Sequence, residues 1–190
     1  NERNKDMNAT ITNKRWAAAA VAGALALALG VFGTVAWLTD TAGPVNNVFS
    51  VGNVKIGLTE TTTEFKMVPG IDIDKDPVVT VKANSEDAWL FVKVEENASL
   101  ASYLTYAVDT GWTALADHPG VFYHEVASGT ADQEFAVLAD NKVTVLDSVT
   151  SAMMDNITKG TTDAPTLTFS AYAIQKSGFA DAAAAWDELG

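Results

Sequence analysis

The chain has 190 residues, contains no cysteine and carries a formal net charge of −12. This length accommodates one domain of ordinary size plus an extension, and an exported form must be stable without disulfides. The acidic balance argues against nucleic acid as a partner, because phosphate binding needs clustered Lys and Arg. Four basic residues precede a long apolar run, namely Arg3, Lys5, Lys14 and Arg15.

The apolar run extends from Trp16 to Leu38 without a charged residue. Basic residues followed by an apolar stretch are typical of a signal peptide, but a run of roughly 20 residues is also long enough to cross a bilayer. The small residues of Gly33-Thr34-Val35-Ala36 favour cleavage by a signal peptidase between Ala36 and Trp37. An uncleaved membrane anchor (residues 16–38) and a buried helix remain as alternatives. We therefore divide the chain into a signal peptide or anchor, residues 1–36, and a domain, residues 37–190.

Period-two alternation predicts β-strands throughout this domain. In the first strand Val54, Ile56 and Leu58 share one face, and a later strand has Leu90 and Val92 on its inward face. The predicted strands lie within residues 48–58, 76–83, 87–96, 105–110, 120–127, 133–138, 141–149 and 165–176. Turn residues between these short strands indicate a mostly antiparallel sandwich or barrel.

Two short helices are predicted near the C-terminus. The first lies within residues 147–157, with Asp147 or Ser148 as its N-cap. The second follows Asp181, a plausible N-cap, and is rich in Ala, the best helix former. Because Phe179 and Trp186 fall at helical spacing, we expect this helix to pack on the sandwich.

The junction after the apolar run contains a series of motif residues. They are Gly33, Thr34 and Ala36, then Trp37 and Asp40, then Asn47, Phe49 and Gly52, then Val54, Ile56 and Leu58. On these residues, and on the later stretches 75–96 and 167–186, the chain resembles the TasA/camelysin-like family, whose members are exported through a SipW-type signal peptidase.

This resemblance implies a secreted, jelly-roll-like β-sandwich found in the extracellular matrix or at the cell surface. Some relatives form biofilm-matrix fibres by donor-strand exchange, in which an N-terminal segment enters the sheet of the next subunit. Here the donor would be Trp37 to Phe49, with anchor side chains at Trp37, Leu38, Val45, Val48 and Phe49. The alternative is that this segment is the first strand of its own domain. Gly43-Pro44 would interrupt a continuous strand and suggests a hinge.

The sequence offers little for catalysis. Zinc peptidases normally carry His-Glu-x-x-His on a helix, whereas this chain has only His118 and His124, and Ser128 stands where the second His would be. There is no Cys nucleophile and no Gly-x-Ser-x-Gly elbow. We predict that the protein is not an enzyme and has no resident cofactor.

Two other sites carry weaker predictions. Asp72, Asp74 and Asp76 alternate like Ca²⁺ ligands, but the EF-hand pattern fails after them, so a solvated acidic loop is the preferred interpretation and a weak Ca²⁺ site the alternative. Exposed aromatic residues can bind ligands on a sandwich face, and Trp89, Phe91 and Trp112 are the candidates here, unless a loop or the terminal helix covers them.

These observations together predict a noncatalytic extracellular structural protein, a subunit or accessory of a fibre that assembles with further copies of itself. The alternative is a monomeric, surface-displayed binding module tethered by the N-terminal helix. A retained anchor would favour display, because it leaves the donor segment at the membrane.

Overall fold

The computed structural model describes residues 37–39, 47–61 and 64–189. The predicted signal or anchor segment with its cleavage residue Ala36, and the predicted donor anchor Val45, lie outside these residues. No helix within the described ranges is long and apolar enough to cross a membrane.

The described part of the chain is mainly β, which confirms the predicted class, and ends in the predicted short helix. Its strands are β1 (Trp37–Thr39), β2 (Asn47–Val51), β3 (Ile56–Thr59), β4 (Glu64–Lys66), β5 (Asp72–Asp74), β6 (Val78–Val81), β7 (Ala88–Glu96), β8 (Leu104–Val108), β9 (Thr113–Ala114), β10 (Val121–Val126), β11 (Gln133–Ala136), β12 (Leu138–Val145) and β13 (Leu167–Gln175). The α-helices are α1 (Ser151–Thr158) and α2 (Ala182–Leu189), and a 3-10 helix spans Leu100–Ser102.

Within the described residues the strands form four sheets. The largest has five strands in the order β2-β13-β7-β10-β9. Two sheets of three strands have the orders β11-β6-β3 and β5-β12-β8, and β1 pairs with β4. Among these pairings only that of β2 with β13 is parallel, and the others are antiparallel as predicted.

The main core joins side chains of the five-stranded sheet to those of both three-stranded sheets. β7 contributes Leu90 and Val92, which the alternation predicted to face inward, and β6 and β12 contribute Val79 and Val143. Each such side chain stabilises the fold by about 1.5–3 kcal/mol relative to an exposed position. The inward face was therefore predicted correctly.

The opposite face of β7 is covered by α2. Trp89 and Phe91 are buried in a second cluster with residues of this helix, and the rings of Phe91 and Trp186 lie 5.2 Å apart. The helix begins where the sequence predicts, because the backbone N–H of Ala184 donates to Oδ1 of Asp181 over 2.9 Å. The aromatic residues on this side of β7 are thus covered by the terminal helix.

The alternation predicted one continuous strand over residues 48–58, and this prediction is wrong. The structure has β2 and β3 there, separated by a turn in which Gly52 adopts a φ of +82°. Glycine adopts this conformation without the steric cost that other residues incur. Val54 and Leu58 are nevertheless buried, as their alternation indicated.

The cap of α1 also differs from its prediction. The side chain of Thr150 accepts a hydrogen bond from the backbone N–H of Met153, so Thr150 is the N-cap in place of Asp147 or Ser148. All three residue types are good N-caps. Sequence preference alone could not choose among these neighbouring candidates.

Candidate functional site

The candidate site is the edge of the five-stranded sheet that β2 forms. Its sequence, Asn-Val-Phe-Ser-Val, is rich in β-branched and aromatic residues, which suits a strand. β2 runs parallel to β13, with Val48 opposite Ala171 and Phe49 opposite Tyr172. A parallel strand on the edge of an antiparallel sheet is added by a connection that crosses over, not by a hairpin. β13 is the last strand of the described chain, so an early strand and the last strand of the domain meet here.

β2 is weakly held by its side chains. Val48 is 37% exposed, and Phe49 and Val51 are each 51% exposed. Among the described residues, Phe49 stacks on Tyr172, with centroids 4.9 Å apart and ring planes inclined by 12°. Such a pair contributes about 0.5–1.5 kcal/mol beyond its buried area. The backbone ladder to β13 and this ring pair therefore provide much of what holds β2 in place.

The predicted donor anchors are divided between two strands. Trp37 and Leu38 lie in β1, which pairs antiparallel with β4, with Leu38 opposite Phe65. Val48 and Phe49 lie in β2. The predicted hinge, Gly43-Pro44, lies outside the described residues, as does Val45. In this structure the strands of the predicted donor segment thus pair with strands of their own chain, which is the alternative that the sequence left open.

The acidic stretch is a strand where the sequence favoured a loop. Asp72–Asp74 form β5, paired with β12, because Ile73 between the two carboxylates is buried and anchors the segment. Asp72 accepts a hydrogen bond from the hydroxyl of Thr144 over 2.7 Å, and the carboxylate of Asp76 accepts from the backbone N–H of Thr61 over 3.0 Å.

The weak Ca²⁺ candidates Asp72, Asp74 and Asp76 therefore have different surroundings. A positive charge also lies beside these carboxylates, because Nζ of Lys142 is 3.6 Å from Oδ2 of Asp72. The part of the chain that the structure describes contains no group of three or more His, Cys, Asp or Glu side chains placed to hold a metal ion. A Ca²⁺ site at these three residues has no support from their geometry.

The two histidines are built into separate aromatic clusters. The ring of His124 lies 4.8 Å from that of Phe135, and the ring of His118 lies 6.3 Å from that of Trp186. Nε2 of His118 is 3.8 Å from Oδ1 of Asp187 at the surface. Each imidazole therefore packs as an aromatic side chain would, with a different set of neighbours.

The third aromatic candidate, Trp112, is buried like Trp89 and Phe91. Its indole N–H donates to the backbone carbonyl of Ala136 over 2.7 Å, which fixes the ring inside the domain. None of the three rings is an open ligand platform in this structure. Sequence reasoning did not identify Tyr172, although its position in the alternating strand β13 placed it on the same face as Ile174.

Comparison of the chain with protein-family models, with curated proteins and with solved structures finds no match. The functional argument therefore rests on the geometry of the molecule and on the sequence motifs.

Proposed function

We propose that the protein is a noncatalytic, secreted structural protein, a subunit or accessory of a cell-surface or biofilm-matrix fibre. Assembly would proceed by donor-strand exchange, with the segment from Trp37 to Phe49 entering the sheet of the next copy. The proposal includes a jelly-roll-like arrangement of the sheets and an N-terminal signal or anchor, residues 1–36, cut between Ala36 and Trp37. The single observation that supports it is the exposed, parallel edge strand β2.

A strand of this kind is suited to exchange for two reasons. The hydrogen bonds between β2 and β13 are the same whether β2 comes from the same chain or from another copy, so their energy does not oppose the exchange. The side chains of β2 are largely exposed, so little apolar burial is lost while β2 is detached. A head-to-tail contact of this type propagates as a filament when the rotation between copies does not close into a ring.

A second candidate is a monomeric, surface-displayed binding module tethered by the N-terminal helix. In this candidate the pairings of β1 with β4 and of β2 with β13 remain within one chain. The two candidates differ in one respect that can be measured, namely which chain supplies the strand beside β13.

Disulfide trapping tests the proposal, because the chain has no native cysteine. The double variant Phe49→Cys with Tyr172→Cys places two thiols on facing residues of β2 and β13, where the native rings stack. The matched control is Glu95→Cys with Thr168→Cys, whose residues face each other on β7 and β13 and are both exposed. Both strands of this pair belong to one chain whether or not β2 is exchanged. Both variants are exported from the native host, oxidised on the cell surface and separated without reductant.

Exchange predicts a ladder of disulfide-linked multimers for the first pair and only cross-linked monomer for the control. Monomer alone for both pairs, in a sample that contains filaments by electron microscopy, would rule out exchange of β2. Intact-mass analysis of the same samples tests the cleavage, since a mature chain should begin at Trp37. A full-length chain in the membrane fraction without filaments would favour the tethered module.

A further inference from the structure

An open cleft lies beside β2, on the face of the five-stranded sheet that α2 covers. It has a volume of about 690 Å³. Its aromatic wall consists of Phe49 from β2, Tyr172 from β13 and Trp186 from α2. The fibre proposal concerns the pairing of β2 with β13, and neither it nor the metal and enzyme interpretations assigns a ligand to this cleft.

The three rings form a continuous aromatic surface. Tyr172 is stacked against Phe49 and meets Trp186 edge to face, with the latter two centroids 5.1 Å apart and the ring planes inclined by 80°. Phe49 remains 51% exposed, so this surface is not closed off by other parts of the described chain. The half-exposed ring of Phe49, beside polar groups, suits a ligand that has one apolar face and a polar rim.

The rim of the cleft is acidic. Asp117 and Asp187 line it. The basic side chains among the described lining residues each lie beside a carboxylate, with Nζ of Lys93 2.7 Å from Oε1 of Glu95 and Nε2 of His118 3.8 Å from Oδ1 of Asp187. The hydrogen bond to Glu95 raises the pKa of Lys93, which stays charged and paired with a carboxylate. The carboxylates of the rim thus attract a cationic ligand, and the overall charge of −12 acts in the same direction.

We infer that this cleft binds an oligosaccharide of amino sugars that carry free, protonated amines. The C–H face of a pyranose ring would pack on the exposed ring of Phe49, and the single ammonium group of each of two sugar units would meet Asp117 and Asp187. An anionic ligand such as a phosphate or a uronic acid is disfavoured by the same two carboxylates. The inference does not require strand exchange, although the chain that supplies β2 also supplies Phe49.

The test is a titration of the purified full chain with a β-linked glucosamine hexamer, followed by calorimetry, beside the fully N-acetylated hexamer as a neutral probe. We expect the glucosamine hexamer to bind more tightly, and its binding to weaken with added salt. Phe49→Ala should weaken binding of the glucosamine hexamer by roughly threefold to tenfold, the range that aromatic contacts contribute. Val51→Ala is the matched control, because Val51 lies on the same strand, is equally exposed and does not line the cleft.

The contribution of the two carboxylates to binding is tested by Asp117→Asn and Asp187→Asn. Each variant should weaken binding of the glucosamine hexamer by about twofold to fivefold. Glu188→Gln removes the same charge from the neighbouring residue of α2, which does not line the cleft, and should leave binding unchanged. Equal effects of Asp187→Asn and Glu188→Gln would overturn the site and show attraction by net charge only. Equal or tighter binding of the acetylated hexamer would overturn the ligand class.

A third result would also overturn the inference. If neither sugar binds, but Phe49→Ala changes sedimentation of the protein, the cleft is a contact between copies of the chain. Circular dichroism of every variant accompanies the titrations, so that loss of binding is attributed to the cleft only in a folded protein.

Discussion

The central strand β7 and the edge strand β2 belong to the same five-stranded sheet, but they are held in opposite ways. Side chains on both faces of β7 are buried, with Leu90 against the main core and Phe91 beneath α2, both fully buried. In β2, Phe49 and Val51 are each 51% exposed. The sheet therefore has a rigid centre and a weakly attached edge.

This difference matters for function because detachment is easy only where little apolar surface is lost. A filament that grows by strand exchange needs one strand that can leave and a domain that stays folded without it. β2 fits the first requirement and β7 with its two clusters fits the second.

The largest effect is expected at the centre of the sheet. Leu90→Ala should lower the free energy of unfolding by about 2–5 kcal/mol, because it leaves a cavity in a packed core. Val51→Ala on β2 should change it by less than about 0.5 kcal/mol, as for other exposed positions. Urea unfolding followed by tryptophan fluorescence measures both. Equal losses would show that β2 is as firmly held as β7.

Removing the ring of Trp186, which belongs to the helix that covers β7, should cause the next largest loss of stability. Trp186→Ala deletes the ring that packs on Phe91 and Tyr172, and we expect a loss of about 2 kcal/mol. Trp186→Phe retains an aromatic ring at this position and should recover most of the loss. The same unfolding assay measures both variants, and a wild-type value for Trp186→Ala would mean that α2 contributes little to the burial of β7.

The turn after β2 offers a way to loosen the edge alone. Gly52→Ala should cost about 1–2 kcal/mol, because Gly52 has a φ of +82° and an added Cβ would lie 2.7 Å from Oε1 of Gln175. Amide hydrogen exchange should speed up in β2 but not in β7. Gly57→Ala is the matched control, since an added Cβ there meets no atom within 4 Å and should leave exchange unchanged. Faster exchange throughout the sheet would contradict a separately detachable edge.

The smallest effect is a pH dependence at the start of β7. The carboxylate of Asp87 accepts a hydrogen bond from the backbone N–H of Ser128 over 2.7 Å, which lowers the pKa of Asp87 below its ordinary 3.8. The stability from this contact is present above the pKa of the unfolded state and is lost as the pH falls through the lower pKa of the folded state.

We therefore expect Asp87→Asn to be slightly less stable near neutral pH and to lose less stability on acidification than the wild type. Urea midpoints measured from neutral pH down to below the pKa of Asp87 show both effects. Asp163→Asn, an exposed acid elsewhere, is the control and should follow the wild-type curve. Parallel curves for Asp87→Asn and the wild type would mean that this contact does not contribute to acid unfolding.

Most of the elements could be read from the sequence because their periodicity is local. The alternation in β7 predicted Leu90 and Val92 inside, and the Ala-rich tail after Asp181 predicted α2. β5 was missed because a strand of three residues with two carboxylates gives almost no alternation signal, and Ile73 is its one buried residue. Short strands depend on their partners more than on their own residues.

The candidate site was predicted only in part for a related reason. The sequence identified Phe49 as an anchor, but its partner Tyr172 lies more than a hundred residues further along the chain, in a strand whose register no local pattern specifies. The cleft was not predicted either. The sequence indicated that Trp186 packs on the sandwich, but it gave no information that would place α2 beside β2.

The sequence alone predicted the strand-rich class, the inward face of β7 and the terminal helix, because hydrophobic period and capping act over a few neighbouring residues. Only the tertiary structure decided that β2 lies parallel at the edge while β7 lies at the centre. Both strands have apolar residues on both faces, and whether these are buried depends on which distant segments cover them. Strand order depends on contacts between residues far apart in the chain, and so does the exposure that makes β2 the candidate for exchange.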